Sequence, residues 1–342
     1  MFPEWTWIVG LMIGAAIGSF LNVVIYRTPR AMSLSEPRHS FCPKCRHQLG
    51  PADLVPLFSW LLQRGRCRYC GAKVSPRYFV VELVTGAIWA GIWHQYLVAS
   101  WDPGKAVAYA LAAATLVAII FIDLELYIIP DQINAFLWAV GIGYNVWLFV
   151  VGDPQAVAWI GGTWGLPSSL VGWFVGVGTL WGIAFLGRVL FRRDAMGHGD
   201  IKMARGVGAV LFAGSALISF ALAVLLGAVL GILQVLAKPK TGEAAAEEPD
   251  EEIEPESIGS LVKCGLGYLF LVDIAGLFVP KLYQQYFGEA PFEPLPEEDE
   301  WEAERTMIPF GPYLALGAIG AAVFQAELGR LVDAYARWAF GA

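Results

Sequence analysis

Charge is scarce in this chain. Only 15% of its 342 residues are Asp, Glu, Lys or Arg, against about 25% in soluble domains, and this excludes an ordinary water-soluble globular protein. Cysteine is sparse as well. Four of the five Cys form two close pairs inside the most basic loop, and Cys264 stands alone; this pattern does not make a secreted disulfide framework. No Lys or Arg precedes the first apolar run. Glu4 stands before it, and Arg27 and Arg30 follow it. A cleavable signal peptide has the opposite polarity, so the charge bias puts the amino terminus outside and residue 27 in the cytosol. There is no ordinary glycine-rich nucleotide loop, and no internal repeat beyond the paired Cys motifs. The clustered basic residues mark membrane topology rather than a nucleic-acid surface.

What is present is apolar. The hydrophobic share is 57%, with 14 Trp and 20 Phe, a composition suited to wide lipid interfaces. The formal net charge of −7 arises from two late stretches, 243–256 and 289–304, each with eight acidic side chains. Without them the chain is net basic. Apolar runs predict spans over 5–26, 78–99, 106–122, 132–151, 168–190, 217–237 and 309–326, with a short helix over 201–212 turning at Ala213-Gly214-Ser215. The segment 258–287 reads as interfacial or re-entrant rather than as a further simple span. The expected fold is an all-α polytopic membrane protein of about eight transmembrane helices with a small cytosolic four-Cys, zinc-ribbon-like loop domain. Its parts are a first helix (1–26), the four-Cys loop (27–77), a membrane core (78–237), an acidic insertion with an apolar middle (238–305), and a last helix with its tail (306–342). Gly10, Gly14 and Gly18 are spaced to let another helix approach closely. Ser19, Asn22 and Glu82 read as polar groups used in packing.

The loop 27–77 holds ten Lys or Arg and two acids. Cys42-Pro43-Lys44-Cys45 and Cys67-Arg68-Tyr69-Cys70 are two Cys-x-x-Cys knuckles, each offering two thiolates to one ion. Softness and tetrahedral geometry favour zinc. Four thiolates leave no open position, so the site reads as a structural staple for a loop too polar to build a core. His39 and His47 read as surface residues.

Two acidic stretches border apolar runs: Asp123-Leu124-Glu125 through Pro130-Asp131, and Gly197-His198-Gly199-Asp200. Carboxylates at such positions are functional-site candidates. Counting spans from Arg27, with basic loops after residues 188 and 238, puts Asp123 and Asp200 on the same, cytosolic side. Two carboxyls that meet there can share one proton as an aspartyl dyad. Asp131 reads as a helix cap and the competing acid, Glu125 as a solvated acid, and His198 as a spacer. Lys202 either steadies Asp200 or marks the bilayer edge.

Taken together, these residues resemble the bacterial prepilin leader peptidase/N-methyltransferase family of type IV pilus and type II secretion systems. The resemblance runs from Gly18-Ser19-Phe20-Leu21-Asn22 through both Cys knuckles, Pro56–Leu62, Arg64–Cys67, Ser75–Tyr78 and both Asp motifs, to Ile308-Pro309-Phe310-Gly311. It implies that Asp123 and Asp200 are the catalytic pair and that Cys42, Cys45, Cys67 and Cys70 hold a structural zinc. It also implies that a basic leader is cut after Gly on the cytosolic face of the inner membrane, and that S-adenosylmethionine methylates the new amino terminus. The partners are then prepilins or pseudopilins and the bilayer, with no nucleic acid. The insertion 238–305 departs from the family pattern, and its acidic arms are expected to attract the basic leader. Three other readings remain open: a peptidase without methyl transfer, a carboxylate-bearing transporter with a zinc-binding loop, and a zinc-organised scaffold.

Overall fold

A computed structural model describes residues 2–42, 44–192, 196–237, 256–288, 291 and 309–340. Helix α1 (Trp7–Arg27) runs against α3 (Pro76–Trp93). Their seam depends on missing side chains. A Cβ at Gly14 would lie 2.6 Å from Trp89 Cβ and 2.8 Å from the Thr85 carbonyl, and one at Gly18 would lie 2.7 Å from Glu82 Cα. The two backbones therefore pack directly, as small-residue spacing allows. Asn22 donates to the Tyr78 carbonyl at 3.2 Å across the same seam, the packing role expected of it. Glu82 is buried and accepts the Leu57 N–H at 2.7 Å, which ties the polar loop to the helix pair. A short helix, α2 (Phe58–Leu62), lies within that loop.

Helix α4 (Pro103–Leu126) is the centre of the molecule. Its apolar window is 72% buried, against 39% for each of the other four candidate spans. After it, Tyr127 takes a left-handed conformation (φ 55°) and the chain turns through Pro130 into α5 (Asp131–Val151). Asp131 does not cap this helix. Pro130 holds the cap position, and Asp131, as the first helical residue, turns its carboxylate to another helix.

The loop between α5 and α6 (Ser168–Phe191) contains an antiparallel hairpin of β1 (Val157–Ile160) and β2 (Trp164–Pro167) that the hydropathy pattern did not signal. Gly161 and Gly162 supply the positive φ values its turn requires, 60° and 73°. Helix α7 (His198–Ala237) is interrupted at Phe212 (φ 62°, ψ 172°), one residue before the expected turn.

The described part of the insertion folds as α8 (Ile258–Leu269), α9 (Val272–Phe278) and α10 (Pro280–Phe287), with a 70° bend between α8 and α9. The bend rules out one straight span there, in line with an interfacial or re-entrant segment. The acidic arms lie outside the described residues, apart from Glu256 and Pro291. The chain ends in α11 (Gly311–Val323) and α12 (Gln325–Phe340), bent by 90°.

The protein is thus a polytopic all-helical membrane protein. Five described helices are long and apolar enough to cross a bilayer, and seven if each bent pair counts as one span. The expected second span is present as α3 and a π-helical turn over His94–Ala99, but it carries Arg77 and Glu82 and is not among the five.

Candidate active site

Three chain segments distant in sequence converge at one end of α4. Asp123 sits in the last turn of α4 and Asp200 in the first turn of α7; they are 5% and 8% exposed. Ile129, between α4 and α5, bridges them: a Cβ at Gly199 would lie 3.1 Å from Ile129 Cβ. The third segment is the start of α11. Gly311 lies so close to Asp123 that a Cβ there would collide with the carboxylate Oδ2, and would lie 3.0 Å from Ile129 Cδ1. On the other side, a Cβ at Gly197 would lie 3.5 Å from Asp200 Oδ2. Asp200 Oδ1 is buried and has no hydrogen-bond partner among the described residues. The structure therefore buries Asp123 and Asp200 at the same end of α4, and leaves Asp200 Oδ1 without a partner among the described residues.

The other acids are occupied elsewhere. Asp131 takes the Lys202 ammonium at 2.7 and 2.9 Å and the Tyr283 hydroxyl at 2.7 Å. Lys202 therefore serves Asp131 and the insertion. Glu125 pairs with Arg77 at 2.6 Å. His198 is more than a spacer, because its Nε2 lies 3.0 Å from Glu256 Oε2 at the edge of the insertion.

Sequence reasoning missed the role of Gly311. It lies 188 positions beyond Asp123 in the chain, and no pattern of charge or hydropathy links the two. Its only signal was its place in a family-like Pro-Phe-Gly motif. It also missed Arg205, which is fully buried in α7 and forms a bidentate pair with Asp273 of α9 at 2.8 and 2.7 Å.

The cysteine loop forms a separate centre. Each knuckle closes on an isolated antiparallel bridge, Phe41 with Gln48 and Arg66 with Lys73. Matching backbone bonds shape both: Arg46 N–H to the Cys42 carbonyl at 2.8 Å, and Gly71 N–H to the Cys67 carbonyl at 2.9 Å. The sulfurs of Cys42, Cys45, Cys67 and Cys70 all lie within 4.8 Å of one another, and those of Cys42 and Cys70 are 3.9 Å apart. Four thiolates about 2.3 Å from a tetrahedral ion sit about 3.8 Å apart, so these residues fit a metal ion.

Their proton affinities are split. Burial pushes the Cys42 thiol up, but the N–H groups of Cys45 and Lys44 and the neighbouring thiols outweigh it and hold it at about 7. The Ala72 N–H lowers Cys70, but burial and the three other thiols push it up to about 11. Asp53 pins the linker between the knuckles. It accepts the Gly50 N–H at 3.1 Å and the Tyr69 hydroxyl at 3.0 Å, and faces Arg68 at 3.1 Å. Burial alone would raise its carboxyl, yet these partners hold it below the usual carboxylate value. His39 and His47 are exposed, and His47 lies against the Tyr69 ring.

Comparison with known proteins agrees with this layout. Residues 12–96 match the Bacterial Peptidase A24 N-terminal domain, and residues 110–232 match the Type IV leader peptidase family. The prepilin leader peptidase/N-methyltransferase of Myxococcus xanthus is 34% identical over 330 residues, covering 94% of this chain and 91% of that protein. The enzyme of the same name from Aeromonas hydrophila is 32% identical, over 65% of this chain and 79% of its own length. That of Klebsiella pneumoniae is 34% identical, over 58% and 82%. No solved structure matches. This chain belongs to the type IV leader peptidase family.

Proposed function

We propose that the chain is a membrane aspartyl endopeptidase that removes the basic leader of type IV prepilins, cutting after Gly, and N-methylates the amino terminus it exposes. The observation that carries the peptidase reading is the burial of both Asp123 and Asp200 at the end of α4, where α7 and α11 converge. In this dyad the two carboxyls share one proton, since two adjacent negative charges cannot both persist. The ionised member takes a proton from a water as general base, and the protonated member polarises the scissile carbonyl. Which acid does which is a property of the coupled pair. Gly311 packs directly against the Asp123 carboxylate, and the bare Oδ1 of Asp200 is an acceptor that can hold the attacking water.

Gly199 lets the loop that carries Asp200 close against Ile129, whose side chain occupies the space a Cβ there would need. On the charge-bias topology this site faces the cytosol across the inner membrane. A pilin leader emerges there, and the helix that follows it stays in lipid. Prepilins and type II secretion pseudopilins are the substrates that match.

The metal at Cys42, Cys45, Cys67 and Cys70 is zinc. Thiolate softness and a closed tetrahedral shell both favour it, and it acts as a structural staple for the loop. The methyl donor is S-adenosylmethionine, which supplies an electrophilic methyl group. Among the described residues it has no built site. A cavity of about 500 Å³, lined by Ile88, His94, Gln95 and Glu327, lies at the opposite end of α3 from the cysteine loop.

Single Asp123→Asn and Asp200→Asn variants test the peptidase reading. Each is expected to lower cleavage of a purified prepilin at least ~10²-fold, the usual scale for a lost acid–base group, with the protein still folded in detergent. Cleavage within a few-fold of wild type by either variant removes that residue from the pair.

A further inference from the structure

One cluster outside the Asp123–Asp200 pocket and the cysteine loop assembles ligand chemistry from two distant parts of the chain. His198, Glu256 and Cys264 bring a ring nitrogen, a carboxylate oxygen and a sulfur all within 4.8 Å of one another. His198 Nε2 is 3.0 Å from Glu256 Oε2, and Cys264 Sγ is 3.8 Å from Glu256 Oε1. Nitrogen, oxygen and sulfur ligands at about 2.0–2.3 Å from one tetrahedral ion sit about 3.3–3.8 Å apart, so the cluster is already close to a ligand shell. The His198 Nδ1 atom is buried and has no hydrogen-bond partner among the described residues. The hydrogen bonds of the protein therefore do not use up the ring.

The geometry points to a second metal site here, ligated by His198, Glu256 and Cys264. One thiolate, one imidazole and one carboxylate select a borderline divalent ion, zinc first, over magnesium or calcium. Three protein ligands leave a fourth position for water. The ligands also define what the ion does. His198 opens α7 two residues before Asp200, while Glu256 and Cys264 lie at the start of the described part of the insertion, on either side of the Ser257 cap of α8. A metal at this point clips the insertion to the Gly197–Asp200 loop, beside the ionic contacts that dock its later helices.

Metal content tests this independently of peptidase or methyltransferase activity. The full chain, purified in detergent and loaded with zinc alone, is analysed by elemental mass spectrometry beside Cys264→Ala, Cys264→Asp and Glu256→Gln. All four retain the loop cysteines. Cys264→Ala is expected to hold one zinc fewer per chain than the wild type, Cys264→Asp to regain it, and Glu256→Gln to hold it at least ten-fold more weakly by chelator competition. Equal zinc content in the wild type and Cys264→Ala overturns the site. If Cys264→Ala does not fold, Glu256→Gln decides: zinc affinity unchanged from wild type overturns the site, and a ten-fold loss of one equivalent supports it.

Discussion

Two helix junctions in this molecule are built by opposite means. The α1–α3 pair meets through absent side chains: Gly14 and Gly18 let backbone touch backbone, and little charge is involved. The insertion α8–α10 meets α6 and α7 through buried charge. Arg205 and Asp273 are 0% and 1% exposed and share two hydrogen bonds, and Lys202, Asp131 and Tyr283 form a second polar junction. Arg188 and Trp181 of α6 add bonds to the Glu256 and Leu261 carbonyls. A glycine seam tolerates no added atoms, and the buried Glu82 carboxylate beside it is met by the Leu57 N–H. An ionic dock depends on each partner, because removing one leaves the other buried and uncompensated. The insertion is therefore built into the membrane core, whereas its acidic arms lie outside the described residues.

The largest break in this comparison is expected from Asp273→Ala. It strands the Arg205 guanidinium and should cost about 3–5 kcal/mol, read as the free energy of unfolding in mixed micelles. The double change Arg205→Met with Asp273→Leu removes the charge along with its partner and should recover most of that loss. If the two versions are equally destabilised, the ionic dock is not what holds the insertion.

On the other side of the comparison, Gly14→Leu forces atoms into a seam whose backbone already lies within 3 Å of any Cβ. An overpacked contact costs about 1–3 kcal/mol, and the same unfolding measurement should place it below Asp273→Ala. The smallest effect is expected from Tyr283→Phe, which removes one hydroxyl from Asp131 but leaves Lys202 in place. A loss of about 1 kcal/mol is expected. A loss as large as that from Asp273→Ala would mean that the two junctions act as one network.

The four-Cys loop sharpens the contrast, since neither of these two means organises it. Two bridged knuckles and the Asp53 bonds shape it. Chelation should therefore loosen residues 40–74 in hydrogen exchange and leave the α4 core protected.

Much of this was legible in the chain. Hydropathy and the excess of Lys and Arg in alternate loops were enough to put Asp123 and Asp200 on one side, because the bilayer imposes those rules on every span. The break at Phe212 was visible because a largely apolar run of 37 residues exceeds one bilayer crossing. The Cys knuckles were visible because ligand spacing within a turn is local. Asp131 was misread as a cap because a proline before an acid is a strong local signal, and its long-range partner Lys202 was not. The hairpin over 157–167 was passed over because its strands are four residues each, too short for periodicity to register.

By itself, the sequence determined the membrane character, the placement of both acids at the ends of apolar runs, and the thiol pairs, because each follows from local composition or spacing. Only the tertiary structure decided that Gly311 closes on Asp123, that Arg205 meets Asp273, and that His198 reaches the insertion. Those pairings join residues 58 to 188 positions apart. Chain folding alone selects such partners, since nothing in a residue's own neighbourhood records which distant group will satisfy it.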